Sequence, residues 1–182
     1  MVSILELSDS IFKDETLSHS IRVSKLCYRF GEYLGYDESC CELLGLGGLL
    51  HDIGKFYISK DILYKRGLLN QEEQSIIRGH VSNASLALNF EEMNPILVEM
   101  ITQHHERLDG LGYPHGITSA EIHPYAKILS IVDAYDAITH SRSYRADYKS
   151  IEDAIEMMYQ QGIFTQFEQS LLVKFESFIV NN

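Results

Sequence analysis

Apolar residues recur at helical spacing along nearly the whole chain, and no run shows the strict alternation of a half-buried strand. Ile21, Leu26, Phe30 and Leu34 mark a first helix over roughly Ser10–Leu34, closed near Gly35. Asp37 can cap a second helix, whose Leu43, Leu44, Leu46, Leu49 and Leu50 lead to His51. The stretch YKRGLLNQEE reads as a loop whose Asn70 caps the next helix, running to about Ile77. Arg78-Gly79-His80 then leads into another, ending near Asn89. Pro95 opens PILVEMITQHHER at its favoured first position, and Pro124 opens PYAKILSIVDAYDAITH. Between these two lies a glycine-rich loop, residues 108–123. Two last helices are predicted near Ser150–Gln161 and Phe167–Val180, with Ser150/Asp153 and Thr165/Glu168 spaced as capping boxes. With 3 prolines, no fixed-period repeat and no linker, the 182 residues read as one all-α domain, a helical bundle spanning 1–182.

Composition narrows the function. At 45% hydrophobic and 23% charged the chain resembles an ordinary soluble domain. Its apolar runs are too short to cross a bilayer, and MVSILELSDSIFKDE has neither a basic leader nor a cleavage signal. The expectation is a cytoplasmic protein without a membrane partner. A net charge of −11 speaks against a surface for long nucleic acid. It leaves room for a small anionic substrate, because bound cations reverse the local charge. Cys27, Cys40 and Cys41 lack zinc-site spacing and read as small buried residues.

Five of the 8 histidines, His19, His51, His80, His104 and His105, lie in acid-rich or polar settings. Glu15 and His19 are four apart, so they share a helix face. Asp133 and Asp136, three apart, share a face of the apolar ILSIVDAYDAI, where an unpartnered carboxylate is costly. His51-Asp52 stands at a helix end before Gly54, and His104-His105 near another, where neighbouring side chains can converge. Singly these are ordinary: a lone helical histidine is usually a hydrogen-bonded residue, and Glu15 with His19 is an ordinary solvated pair. Five histidines and four carboxylates on five helices point instead to a metal centre. Imidazole and carboxylate without thiolate suit Fe, Mn, Ni or Zn. An aspartate can bridge two ions, and two ions roughly 3.5–4 Å apart support in-line displacement at phosphorus.

From about Glu15 to Arg145 the sequence resembles the HD-GYP family of the HD-domain phosphohydrolases. The residues that carry the resemblance are HDIGK at His51–Lys55, HHERLDGLGYP at His104–Pro114, H-x-x-R at His19–Arg22, His80, and DAYDAITHSRSYR at Asp133–Arg145. It implies a metal-dependent phosphodiesterase that hydrolyses cyclic di-GMP, or a related mixed cyclic dinucleotide, to the linear dinucleotide and in some members on to GMP. It also implies that His19, His51, Asp52 and Asp133 hold one ion. Asp52 would bridge to a second, held by His80, His104 and His105. Glu15 would serve a third, assisted by Asp136. Two or three divalent transition-metal ions are therefore expected, Fe or Mn first, Ni or Zn as alternatives.

The same resemblance makes Asp52 and Lys55 catalytic, with Lys55 near the scissile phosphate. Arg142 and Arg145 would clamp phosphates, and Tyr113 would touch a base or phosphate unless its role is to shape the loop. Glu106 would either orient a histidine or stand exposed, Asp109 would tie down the loop, and Gly110 and Gly112 would let the backbone turn away. Ser143, Arg66 and Leu108 depart from the family's usual residues without removing a ligand. No upstream sensory domain is expected, so regulation would need a separate protein or be absent, and a homodimer is a further open partner. Two rivals remain: an HD-type phosphohydrolase acting on another nucleotide, and a non-catalytic module that binds cyclic dinucleotide or a protein.

Overall fold

The computed structural model describes residues 15–140, 149–162 and 165–181. In chain order these form α1 (Glu15–Tyr33), α2 (Glu38–Leu50), a 3-10 turn (Ile53–Tyr57), the short α3 (Lys60–Leu63), α4 (Gln71–Arg78) and α5 (His80–Ala87). A second 3-10 turn (Phe90–Glu92), α6 (Pro95–Gln103), α7 (Pro124–Thr139), α8 (Ile151–Gly162) and α9 (Gln169–Val180) follow. The chain is all-α as expected. Among the described residues no strand forms, and the sole sheet-like pairing is an isolated bridge between Asp109 and Thr118.

Most helices start where the polar residues said they would. Asp37 Oδ1 accepts from the Cys40 amide at 2.8 Å. Asn70 and Glu73 form a reciprocal capping box at 2.8 and 2.9 Å. Ser150 Oγ accepts from the Asp153 amide at 3.1 Å. Pro95 and Pro124 sit in the first turns of their helices. The start foreseen at Ser10 falls outside the described residues.

The last helix corrects the reading. It begins at Gln169, and Thr165 does not cap it. Thr165 is engaged elsewhere: its hydroxyl accepts from Arg107 at 3.0 Å and its carbonyl from the Asp109 amide at 3.0 Å. Phe167 is drawn into the core instead of opening the helix. The short elements after His51 were not foreseen either.

The main core joins α1, α2, α7, α8 and α9. Val23, Cys27 and Phe30 meet Leu44, Ile128, Leu129, Ile131, Met158, Leu172 and Phe175, all buried. Phe30 and Phe175 pack edge-to-face at 5.0 Å. Each such fully buried side chain contributes about 1.5–3 kcal/mol. A smaller cluster of Ala84, Leu97 and Ile101, with Leu43, Leu50 and Ile53 against it, anchors α5 and α6 to the end of α2. Helices of both clusters supply the buried polar residues described next.

Candidate metal centre

His19 on α1, His51 at the end of α2, Asp52 beside it, His80 at the start of α5 and His104 at the end of α6 are all buried. Their donor atoms form two overlapping sets. His19, His51 and Asp52 make one; Asp52, His80, His104 and His105 make the other; within each, the atoms lie within 4.8 Å of one another. Asp52 belongs to both. Asp133 of α7 adjoins the first set, its Oδ1 lying 2.9 Å from His19 Nε2 and 3.6 Å from His51 Nε2.

Local backbone geometry brings Asp52 there. It leaves α2 at φ −99° and ψ 8°, so its side chain and that of His51 turn to a common point. The following turn then lies directly against α5. A Cβ on Gly54 would collide with the His80 carbonyl oxygen and stand 2.8 Å from the Ala84 amide. The glycine is a packing requirement, and it sets Asp52 Oδ1 3.3 Å from His80 Nε2.

Three histidines are oriented by the ends of the helices that precede them. His51 Nδ1 lies 2.9 Å from the Gly48 carbonyl, His80 Nδ1 2.6 Å from that of Ile77, and His104 Nδ1 2.8 Å from that of Ile101. Each carbonyl lies three residues back, in the last turn of a helix, where oxygens lack intrahelical donors. A carbonyl can only accept, so each Nδ1 carries a proton, and at His80 and His104, which burial keeps neutral, Nε2 keeps its lone pair. His19 is held differently. Its Nδ1 meets Asp136 Oδ2 at 2.7 Å, and Arg22 forks the same carboxylate at 2.8 Å through both Nε and Nη2. His140 Nδ1 adds a contact of 3.1 Å.

Burial governs the electrostatics. It pulls His104 well below its ordinary value, His105 down to about 3, and lowers His80. At His51 burial opposes the charge, but Asp52 and Asp133 outweigh it and push the group up to about 10. Burial also opposes ionisation of Asp52, yet Lys55 and His51 hold it well below the carboxylate range. His19 and His51 do the same for Asp133. Lys55 reaches Asp52 Oδ2 at 2.5 Å.

Buried Nε2 atoms of His19 and His51, and Oδ1 of Asp52, make no hydrogen bond. Such atoms cost about 1–3 kcal/mol each when left unsatisfied. Here they converge, and together with the imidazole and carboxylate chemistry they fit divalent cations.

The glycine-rich loop packs against the second set. Tyr113 stacks on His105 with centroids 4.7 Å apart and planes at 29°. Gly112 does not serve to turn the chain. An added Cβ would stand 2.5 Å from the Arg107 amide nitrogen and from Glu106 Cα, so the loop folds tightly back on the strand of residues after His104. Glu106 is not exposed, and its hydrogen bonds go to backbone amides. Its Oε1 accepts from the amides of His115 and Gly116 at 2.7 and 3.2 Å. Asp109 ties the loop down as expected, accepting from the Leu111 amide at 3.0 Å and pairing with Arg107 at 2.8 Å.

Glu15 lines a recess with Thr16, His19, Asp52, Lys55, Leu63 and Tyr64. Asp136 shares the face of Asp133, but both its oxygens are taken by Arg22 and His19. Arg142, Ser143 and Arg145 lie outside the described residues. The Arg22 fork escaped the sequence reading, although H-x-x-R and D-x-x-D both place their members one turn apart.

The pattern of the HD domain family matches residues 3–164. The chain is 36% identical over 143 residues to the 3'3'-cGAMP-specific phosphodiesterase 1 of Vibrio cholerae, covering 79% of this chain and 33% of that protein. It is 33% identical over 165 residues to a cyclic di-GMP phosphodiesterase of Pseudomonas aeruginosa, covering 90% of this chain and 39% of that one. The chain thus spans between a third and two-fifths of the length of these curated relatives. A solved HDG"Y"P protein from Bdellovibrio bacteriovorus aligns with TM-score 0.72 at 19% identity, over 99% of this chain and 58% of its own. That likeness is one of fold.

Proposed function

The chain belongs to the HD-domain family, and from that membership we propose that it is a metal-dependent phosphodiesterase of the HD-GYP type that opens a cyclic dinucleotide to the linear form. One observation carries the reading: two donor sets meet in a single carboxylate, Asp52. The names of relatives at 33–36% identity support the substrate class, cyclic di-GMP or the mixed GMP–AMP ring.

His19, His51, Asp52 and Asp133 would hold one ion, and Asp52, His80, His104 and His105 a second. Glu15, which lines a recess with His19, would serve a third. When bound, such ions polarise the phosphoryl group and make water nucleophilic at neutral pH. Iron or manganese suits the donors best, with nickel or zinc as alternatives.

The chain's own residues do the rest. Helix-end carbonyls hold three imidazoles with Nε2 presented inward. Asp136 holds the fourth, acting as the outer partner of His19 and not as a ligand. Lys55, already directed at Asp52, would neutralise charge that builds on the phosphoryl oxygens as the sugar 3′ oxygen departs. The Tyr113 loop forms the lip over His105, and Arg142 and Arg145 would clamp the phosphates. Among the described residues no helix is long and apolar enough to cross a membrane. A signalling role in a bacterial cytoplasm agrees with this chemistry.

The test is turnover of a nucleotide panel by metal-replete protein, with product analysis. Cyclic dinucleotides should yield linear products. Asp52→Ala should lose turnover by more than about a hundredfold and also lose metal, since removing outer partners alone costs 10- to 100-fold. Turnover confined to mononucleotides would move the activity to another HD phosphohydrolase class. Binding without turnover would make the chain a receptor module.

A further inference from the structure

Arg78 closes α4, two residues before His80, and its side chain is exposed. Its guanidinium carbon lies 5.2 Å from the ring centroid of Tyr113. Tyr113 in turn stacks on His105, one of the three histidines grouped with Asp52. A chain of contacts therefore runs from solvent to the donor cluster: guanidinium, phenol, imidazole.

Acidic residues outnumber basic ones 26 to 15. Arg22, Lys65, Arg107 and Lys127 each have a carboxylate within 3.2 Å. Among the described residues Arg78 has no carboxylate partner, and its contact is the aromatic face. Stacking uses the face of a guanidinium and leaves its edge donors free for a planar anion. An arginine so placed beside an anionic substrate has its plane set and its fork open.

We propose that Arg78 is a substrate-binding residue that receives the second, non-scissile phosphate of a cyclic dinucleotide, with Tyr113 as the platform that fixes its plane. This rests on the reading under Proposed function. A cyclic dinucleotide carries two phosphodiesters. The scissile one sits at the donor cluster, with Lys55 reaching it from the recess lined by Glu15, Leu63 and Tyr64. The other leaves the cluster with its charge unmatched. Arg78 meets it across His105 and Tyr113. Arginine suits the place better than lysine, because an ammonium offers neither a plane to stack nor a fork.

The experiment measures kcat, KM and bound metal for wild type, Arg78→Met and Arg78→Lys, with cyclic di-GMP and with the mixed GMP–AMP ring. Arg78→Met should raise KM roughly ten- to hundredfold for both substrates, with kcat changed by less than about twofold and metal content intact. Arg78→Lys should recover only part of the loss. An unchanged KM in Arg78→Met overturns the assignment, and so does a loss confined to one substrate, which marks contact with a base edge. Loss of metal overturns it as well, since Arg78 would then act through His80. Wild-type protein that hydrolyses bis(p-nitrophenyl) phosphate but no cyclic dinucleotide sinks the functional reading, and the Arg78 assignment with it. A working wild type with an indifferent Arg78→Met sinks this assignment alone.

Discussion

Asp52 Oδ1 stands 3.3 Å from His80 Nε2, and the two meet because only a hydrogen atom separates the backbone of Gly54 from that of His80. Gly54→Ala puts a methyl group where the His80 carbonyl now lies. The α5 end must retreat, at a cost of about 1–3 kcal/mol, and His80 retreats with it. Denaturant midpoints and metal content should fall together. A variant with wild-type stability and full metal would show that the close approach is dispensable.

Asp136 has no exposure, and both its oxygens serve the side chains of α1. Asp136→Asn keeps the shape but weakens the grip on His19 and leaves Arg22 without its counter-ion. Metal affinity should drop by about 10- to 100-fold, read by titration of the chelator-treated protein. Arg22→Gln should lose less, because the bond from His19 survives. Wild-type affinity in Asp136→Asn would remove the carboxylate from the ion's support.

Metal-free protein should be most stable near pH 6.5. His80, His104 and His105 are held below 6.5 by burial, so the unfolded chain binds protons first as pH falls, and stability is lost in that direction. For His105 that loss continues to about pH 3. His51 works in the opposite sense. Asp52 and Asp133 overcome its burial and raise it to about 10, so its contribution is complete below 6.5 and fades as pH rises to about 10. Thermal melts of chelator-treated protein across roughly pH 5–9, on both sides of the unfolded histidine value, check the peak. A melting temperature that climbs throughout would contradict it. Ion binding above pH 7 should also release the His51 proton, visible as a binding heat that depends on the buffer.

Glu106 joins the His104 helix end to the loop that carries Tyr113. Glu106→Ala leaves the amides of His115 and Gly116 without their acceptor. Stability should fall by about 1–3 kcal/mol. KM should rise with it as Tyr113 loses its seat on His105. An unaltered KM with lowered stability would confine Glu106 to folding.

Asp37, Asn70, Pro95 and Pro124 start their helices where a reader of the sequence would put them, because each acts on amides within its own first turn. The donor residues were legible for a related reason: charge inside ILSIVDAYDAI and histidines at helix ends conflict with plain burial. What stayed hidden depends on distant partners. Asp136 looked equal to Asp133 until Arg22, on another helix, claimed both oxygens. Thr165 looked like a cap until Arg107 and Asp109 claimed it. Glu106 looked like a histidine partner or an exposed residue until the amides of His115 and Gly116 claimed it. Gly112 invited a reading as a turn, since nothing in the string of letters says which backbone will press against it.

The carbonyls of Gly48, Ile77 and Ile101 fix the ring orientations of His51, His80 and His104 within a span of three residues each. An arriving ion therefore has no rings to flip and no protons to shuffle at His80 and His104; the search is over before it docks. Divergence elsewhere in the chain can reshape the walls and choose a different guest. As long as those three helices end where they do, the aim of the lone pairs is inherited unchanged.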